Sequence, residues 1–391
     1  MFQLPFLDQI KGLITTTVID DHTDAISSLI SAGLYLFCAI LISAKVYVGS
    51  PIQCWLPQTY SGQWAEYAET YCFLKSTYFV AKNDTMPARM DRQDTVRFLS
   101  YYQWSSVYLT VMGLSFILPK IIWRKSQEAT DISLMYFCET THQIKTETKE
   151  KRKEKVSEMS DFLEEKLKAK HPSKNLSKLP LSVAWIITKS LYVANLFFQF
   201  WFLSTFLGQG FDVMWAFKVV NKLFHGVSWE ITGLFPRITY CDFDVRQVSG
   251  KLEHMTIQCV LGVNEFNEKI FIFIWFWLVF AAPAAIIGYG WTYYHIERKH
   301  FIKSLLQSHD NSSINYSKCF ETFGKRYLGR DGRLILSYIK DQSELVAQEV
   351  SADLFEKFLK EEASEKNGNM SRIKIHPQSE KPRDLAIDMD Q

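Results

Sequence analysis

Four apolar runs, at residues 27–48, 102–123, 186–207 and 269–291, dominate the chain. Each reaches the roughly 20 mostly apolar residues that a helix needs to cross a bilayer core. A backbone inside lipid has no water to bond, so each run is expected to close its own hydrogen bonds as a helix. The fold class that follows is an all-α polytopic membrane protein, a four-transmembrane-helix bundle. The intervening segments are 1–24, 49–101, 124–185 and 208–268. After the last run comes a helical region at 292–360 and a polar, proline-containing tail at 361–391, expected to be disordered.

Charge orients this arrangement. The formal net charge of +2 is too small to imply a nucleic-acid partner, but its distribution is uneven. Between Lys120 and Lys178 there are 14 Lys/Arg, against 5 between Gly49 and Ser100 and 5 between Gly208 and Glu268. Basic loops stay in the cytoplasm, so the middle loop is expected inside and the other two outside. With four spans, both termini are then cytoplasmic. Residues 1–19 lack a basic start and contain Asp8 and Lys11, unlike a signal peptide. Phe6, Leu7, Ile10, Leu13 and Ile14 follow helical spacing, which predicts a short amphipathic helix. Thr23 or Asp24 is available as the N-cap of the first span.

The two outer loops each carry a cysteine pair, Cys54 with Cys72 and Cys241 with Cys259, and both pairs are 18 positions apart. An oxidising face favours disulfides there, whereas Cys38, Cys138 and Cys319 are expected as reduced thiols. The first outer loop also holds Trp55, Tyr60, Trp64, Tyr67, Tyr71, Phe73, Tyr78 and Phe79, enough aromatic surface for a small core. Asn83-Asp84-Thr85 is a glycosylation sequon on the same face.

Within the spans, Lys45 can snorkel to the headgroups, and Pro119 bends or ends the second run. Asn195 and Gln199 share one face of the third, where amides act as interhelical glue. Met159, Phe162, Leu163 and Leu167 give the charged stretch 145–170 a narrow apolar stripe, which predicts packing on another cytoplasmic helix. The chain contains no Gly-Lys-Ser/Thr phosphate loop, no His-Glu-x-x-His and no Gly-x-Ser-x-Gly. His295-Ile296-Glu297 matches half of a deaminase zinc motif, but no Pro-Cys-x-x-Cys follows it. No enzyme activity, cofactor or metal is expected.

Several short motifs then stand together. Tyr101-Tyr102-Gln103-Trp104 opens the second run, with Pro119 further along. Cys54-Trp55-Leu56-Pro57 and Tyr71-Cys72 lie in the first outer loop, and Phe235-Pro236-Arg237-Ile238-Thr239-Tyr240-Cys241-Asp242 and Gln258-Cys259-Val260-Leu261 in the second. Asn264, the run Glu268 to Trp277 and Gly329-Asp331-Gly332 complete the set. In order and placement these resemble the innexins, the invertebrate gap-junction proteins. Ser105 stands where that signature usually has Val.

The resemblance implies a ring of subunits, eightfold in that family, around one aqueous pore in the plasma membrane. It also implies docking end to end with the ring of a neighbouring cell, alone or with other innexins, to pass ions and small metabolites. The family's N-terminal segment lines the cytoplasmic mouth of the pore, which maps here to Met1, Phe2 and Gln3, although Pro5 interrupts a continuous helix. Two other readings stay open: an undocked hemichannel like the related pannexins, with sugar on Asn83 blocking docking, and a non-conducting adhesion or regulatory subunit.

Four cysteines allow three pairings. Cys54 lies 6 residues past Val48 and Cys259 lies 10 before Lys269, whereas Cys72 is 30 before Tyr102 and Cys241 is 34 past Leu207. Residues at matching distances from their spans share a height above the bilayer. The expected bonds are therefore Cys54–Cys259 and Cys72–Cys241, both between the loops.

Overall fold

The computed structural model describes residues 22–81, 84–92, 97–130, 132–168, 180–208, 212, 214–225, 234–246, 250–297, 300–306 and 316–373. The chain forms two compact units, Met1–Thr130 with Val183–Tyr293, and Asp131–Ser182 with Tyr294–Gln391.

In chain order, a short turn His22–Ala25 and a π-helical turn Ile26–Ile30 lead into α1 (Ser31–Tyr47). The first outer loop contains β1 (Gln53–Cys54), α2 (Gly62–Lys75), β2 (Thr77–Phe79) and β3 (Arg97–Leu99). Then come α3 (Tyr101–Ser115), α4 (Leu118–Thr130), α5 (Leu134–Thr146), α6 (Lys149–Lys168) and α7 (Leu181–Phe206). The second outer loop holds α8 (Trp215–Phe224), β4 (Ile238–Arg246) and β5 (Leu252–Val260). The chain ends with α9 (Val263–Glu297), α10 (His300–Leu306), α11 (Tyr316–Thr322), a π-helical turn Phe323–Tyr327, α12 (Gly329–Gln342) and α13 (Glu344–Ile373).

Four helical stretches are long and apolar enough to cross a membrane: Thr23–Tyr47, Tyr101–Thr130, Leu181–Phe206 and Val263–Tyr294. Span 1 packs closely on span 2. A methyl group at Gly113 would sit 3.1 Å from the Tyr35 Cβ, so a residue without a side chain lets the two backbones approach. Span 2 breaks between α3 and α4. Pro119 has no N–H for the Ser115 carbonyl, and Asn195 Nδ2 of span 3 approaches that oxygen at 3.5 Å. Gln199 Nε2 donates to the Ser115 hydroxyl at 2.7 Å and to the Met112 carbonyl at 3.1 Å. The two amides of span 3 thus bridge to span 2 at its weak point.

Thr23 and Asp24 lie inside the first helical turn rather than at a cap, because the helix already includes His22. Asp24 instead pairs with Lys189 of span 3 at 2.6 Å, and both side chains are largely buried. The Lys189 ammonium also lies 5.6 Å from the Trp185 ring centre. Two charges among apolar helices persist when each is the other's partner. Beside them, Thr23 packs against Gly288 of span 4, where a Cβ would clash with the threonine side chain.

The outer loops hold a structure not anticipated from an all-helical reading, a five-stranded antiparallel sheet in the order β1-β5-β4-β2-β3. Its centre is the β4–β5 hairpin, paired from Ile238↔Val260 to Arg246↔Leu252. Strands from the first loop flank that hairpin on both sides, so neither loop makes the sheet alone.

In the second unit, α6 buries Val156, Met159 and Leu163. Phe162 packs against Tyr136 and Phe137 of α5, with ring centres 4.9 and 5.8 Å apart. Arg152 pairs with Glu349 at 2.8 Å and Lys357 with Asp161 at 2.6 Å, which ties α6 to α13. The α13 helix continues to Ile373, so the tail expected to be disordered from residue 361 is helical in its first part. Residues 374–391 lie outside the described residues. Cys138 is buried in this unit, and its thiol is pushed up to about 11 by that burial, with further help from Asp341 and Glu139.

Candidate functional site

The outer-loop assembly gathers most of the motif residues. Along β4 the alternation of a strand buries Thr239, Cys241 and Phe243 on one face, and Ile257 and Cys259 of β5 join them. Helix α2 covers this face. Its Trp64, Tyr67 and Tyr71 surround the Phe243 ring at 6.5, 5.8 and 5.2 Å. Ala68 and Cys72 sit on the same helical face and are fully buried.

Two disulfides cross this small core, Cys54–Cys259 and Cys72–Cys241. The first joins residues directly opposite each other in the β1–β5 pair, and the second joins α2 to β4. Each closes a long stretch of chain, with sequence separations of 205 and 169. Cross-links of this span restrict the unfolded chain strongly, typically stabilising a fold by about 2–4 kcal/mol.

The opposite face of the hairpin carries a polar cluster. Asp242 Oδ1 accepts hydrogen bonds from Tyr78 at 3.1 Å, from Thr256 at 2.9 Å and from Arg92. Asp244 binds Arg89 at 2.6 Å, Lys75 at 3.1 Å and His254 at 2.8 Å. Partial burial works to raise the Asp244 carboxyl, but the hydrogen bonds from His254, Arg89 and Lys75 outweigh it and hold it well below the usual carboxylate range. Burial, reinforced by the Asp242 charge, pushes the Tyr78 phenol up to about 12, with Arg92 opposing. First-loop residues therefore grip both faces of the second-loop hairpin.

The Tyr101-Tyr102-Gln103-Trp104 motif attaches this assembly to span 2. Tyr101 donates to the Leu234 carbonyl at 3.2 Å and Tyr102 to the Phe73 carbonyl at 3.5 Å. Gln103 Nε2 donates to the Phe73 carbonyl, to the Leu74 carbonyl at 3.2 Å and to the Ser76 hydroxyl at 3.4 Å. These are end groups of α2, which stops at Ser76 with a φ of 83°. Trp104 points outward and is 60% exposed. Pro119 lies at the helix break far from this cluster, so the signature does not form one site.

The second-loop motif attaches the assembly to span 4. Phe235 packs between Tyr101, Trp215 and Phe271, with ring centres 5.9, 6.2 and 6.2 Å away. The Pro236 carbonyl accepts Asn264 Nδ2 at 2.8 Å, and Arg237 pairs with the buried Glu268 at 3.2 Å. Lys45, at the outer end of span 1, lies 5.8 Å from the Phe266 ring centre of span 4.

The third motif sits in the second unit. Asp331 accepts the backbone N–H groups of Leu181 and Ser182 at 3.3 and 2.9 Å, filling the open donors at the first turn of α7. Arg330 and Arg333 reach Glu297, the last residue of α9, at 3.3 and 3.4 Å. Gly329 has a φ of 63°, a left-handed conformation that favours glycine. The Gly-Arg-Asp-Gly stretch thus grips the first turn of α7 and the last of α9.

Met1, Phe2, Gln3 and Asn83 lie outside the described residues. Lys75, Arg89, Arg92 and Lys189 were missed by sequence reasoning. Each is a single charged residue whose carboxylate partner lies 150 or more positions away and is brought near only in the folded chain, although an intramembrane lysine at 189 is uncommon enough to flag itself.

The Innexin family model matches residues 20–358. The chain is 45% identical to Innexin-8 of Caenorhabditis elegans over 361 residues, covering 92% of this chain and 94% of the relative. It is 32% identical to Innexin-3 of the same organism over 374 residues, covering 91% and 88%. Innexin unc-9, also from Caenorhabditis elegans, is 31% identical over 358 residues, covering 87% and 92%. With four membrane-length helices and two loop-to-loop disulfides in the same order as the motifs, the chain belongs to the innexin family of gap-junction channel subunits.

Proposed function

We propose that this chain forms a ring whose outer rim docks with the ring of an adjacent cell, giving a continuous path for ions and small metabolites. One observation carries this reading: both outer loops are fused into a single sheet, cross-linked by two disulfides and tied to the outer ends of spans 2 and 4. Ordering two long loops only on contact would consume much of the association energy, whereas a preformed rim avoids that cost. A single four-helix bundle is filled by side chains, so conduction requires several copies around water.

The number of subunits is taken as eight, with or without other innexins as partners. Both termini lie in the cytoplasm, following the basic loop between spans 2 and 3. Met1, Phe2 and Gln3 are assigned to the cytoplasmic mouth of the pore. Chemistry at this rim is limited to binding, and the chain acts without enzymatic turnover.

Electron images of the detergent-solubilised protein test the assembly. Rings stacked in pairs through their outer loops are expected. Conducting single rings that never pair, with glycan on Asn83, favour the pannexin-like hemichannel. Rings that pass neither ions nor dye in liposomes favour an adhesion or regulatory subunit.

A further inference from the structure

The two disulfides are neighbours as well as partners in one core. The sulfur atoms of Cys54, Cys72 and Cys259 all lie within 4.8 Å of one another, so Cys72 of one bond is close to both sulfurs of the other. The four cysteines differ in access: Cys72, Cys241 and Cys259 are fully buried, whereas Cys54 is only partly covered, on the two-residue edge strand β1. A thiolate attacks a disulfide sulfur that it can reach, and each attack releases the other sulfur as a new thiolate.

We propose that Cys54 is the entry site of a thiol-exchange relay, open to a small thiol from the extracellular side. The incoming thiolate attacks the Cys54 sulfur, forming a mixed disulfide there and releasing Cys259 as a thiolate. Cys259 then attacks the Cys72 sulfur, forming a Cys72–Cys259 bond and releasing Cys241, which takes up the proton lost by the small thiol. Two disulfides are present before and after, so the sequence is redox-neutral and needs no oxidant. Its structural result is specific. Strand β1 loses its bond to β5, while α2 exchanges its anchor on β4 for one on β5.

Glu69 bears on the choice of thiol. Its carboxylate accepts the Cys54 backbone N–H at 3.3 Å, placing negative charge beside the entry point. A small cationic thiol such as cysteamine is therefore the suitable probe.

The relay is independent of ring docking and is read chemically. The full-length protein is treated with cysteamine, trapped with N-ethylmaleimide at low pH and digested without reduction for peptide mapping. The expected products are cysteamine on Cys54, a Cys72–Cys259 cross-linked peptide and maleimide on Cys241. Maleimide on Cys259 with the Cys72–Cys241 bond intact overturns the relay. Modification of another cysteine before Cys54 overturns the entry site.

Discussion

The Asp331 carboxylate accepts the Ser182 backbone N–H at 2.9 Å, so a side chain from α12 caps the helix that becomes span 3. Loss of such a cap typically costs about 0.5–2 kcal/mol. Replacing Asp331 by Ala is expected to destabilise the second unit by roughly 1 kcal/mol and to speed amide exchange at Leu181 and Ser182. Asp331→Asn retains an acceptor and is expected to lose less. Unchanged exchange at both amides in the alanine variant contradicts the capping role.

Gln103 and Ser76 form a second local dependence. With a φ of 83° and a ψ of 150°, Ser76 occupies a region that is essentially glycine's, at a cost of order 1–3 kcal/mol. Ser76→Gly is expected to raise the melting temperature of the protein, while Gln103→Ala, which strips the end of α2 of its donor, lowers it. The two shifts are measured on the same detergent-solubilised preparation, and opposite signs are the expected result.

Acid should loosen the polar face of the hairpin. The Asp244 carboxyl is held below its unfolded value, which is about 3.9 for an aspartate. Its contribution is therefore complete above that pH and fades as pH falls toward the folded-state value. The melting-temperature gap between the wild type and Asp244→Asn is expected to shrink as the pH falls below about 4. A gap that persists undiminished at pH 3 rules out this ion cluster as the source.

Lys189 and Asp24 predict an asymmetry between single and double changes. Removing one partner of a buried pair leaves an uncompensated charge, and such changes cost about 3–5 kcal/mol. Lys189→Ala or Asp24→Ala alone is expected to reduce folded yield sharply. The double change Asp24→Asn with Lys189→Met is expected to recover much of it, as read by size-exclusion chromatography of the extracted protein.

The spans were legible because hydropathy over some twenty residues is a local signal. The same holds for the apolar stripe of Met159, Leu163 and Phe162, and for the shared face of Asn195 and Gln199. The sheet was less visible. Ile238 to Arg246 alternates as a strand should, but its flanking strands β1 and β2 are two and three residues long, too short for a periodic signal. Their existence depends on pairing across the two loops, which no local pattern encodes. For the same reason Asp331 could be read as part of a short motif but not as a cap for a helix that begins at Leu181. The helix to Ile373 was obscured because its last turns are rich in Glu, Lys, Asn and Gly and have little apolar periodicity.

Junctional conductance between paired cells tests the docked rim most directly. Cells expressing the wild-type chain on both sides are expected to show junctional current. The double change Cys54→Ser with Cys259→Ser, delivered to the surface in equal amount, is expected to lose most of that current. Wild-type pairs without junctional current, while the same cells conduct singly, contradict the account.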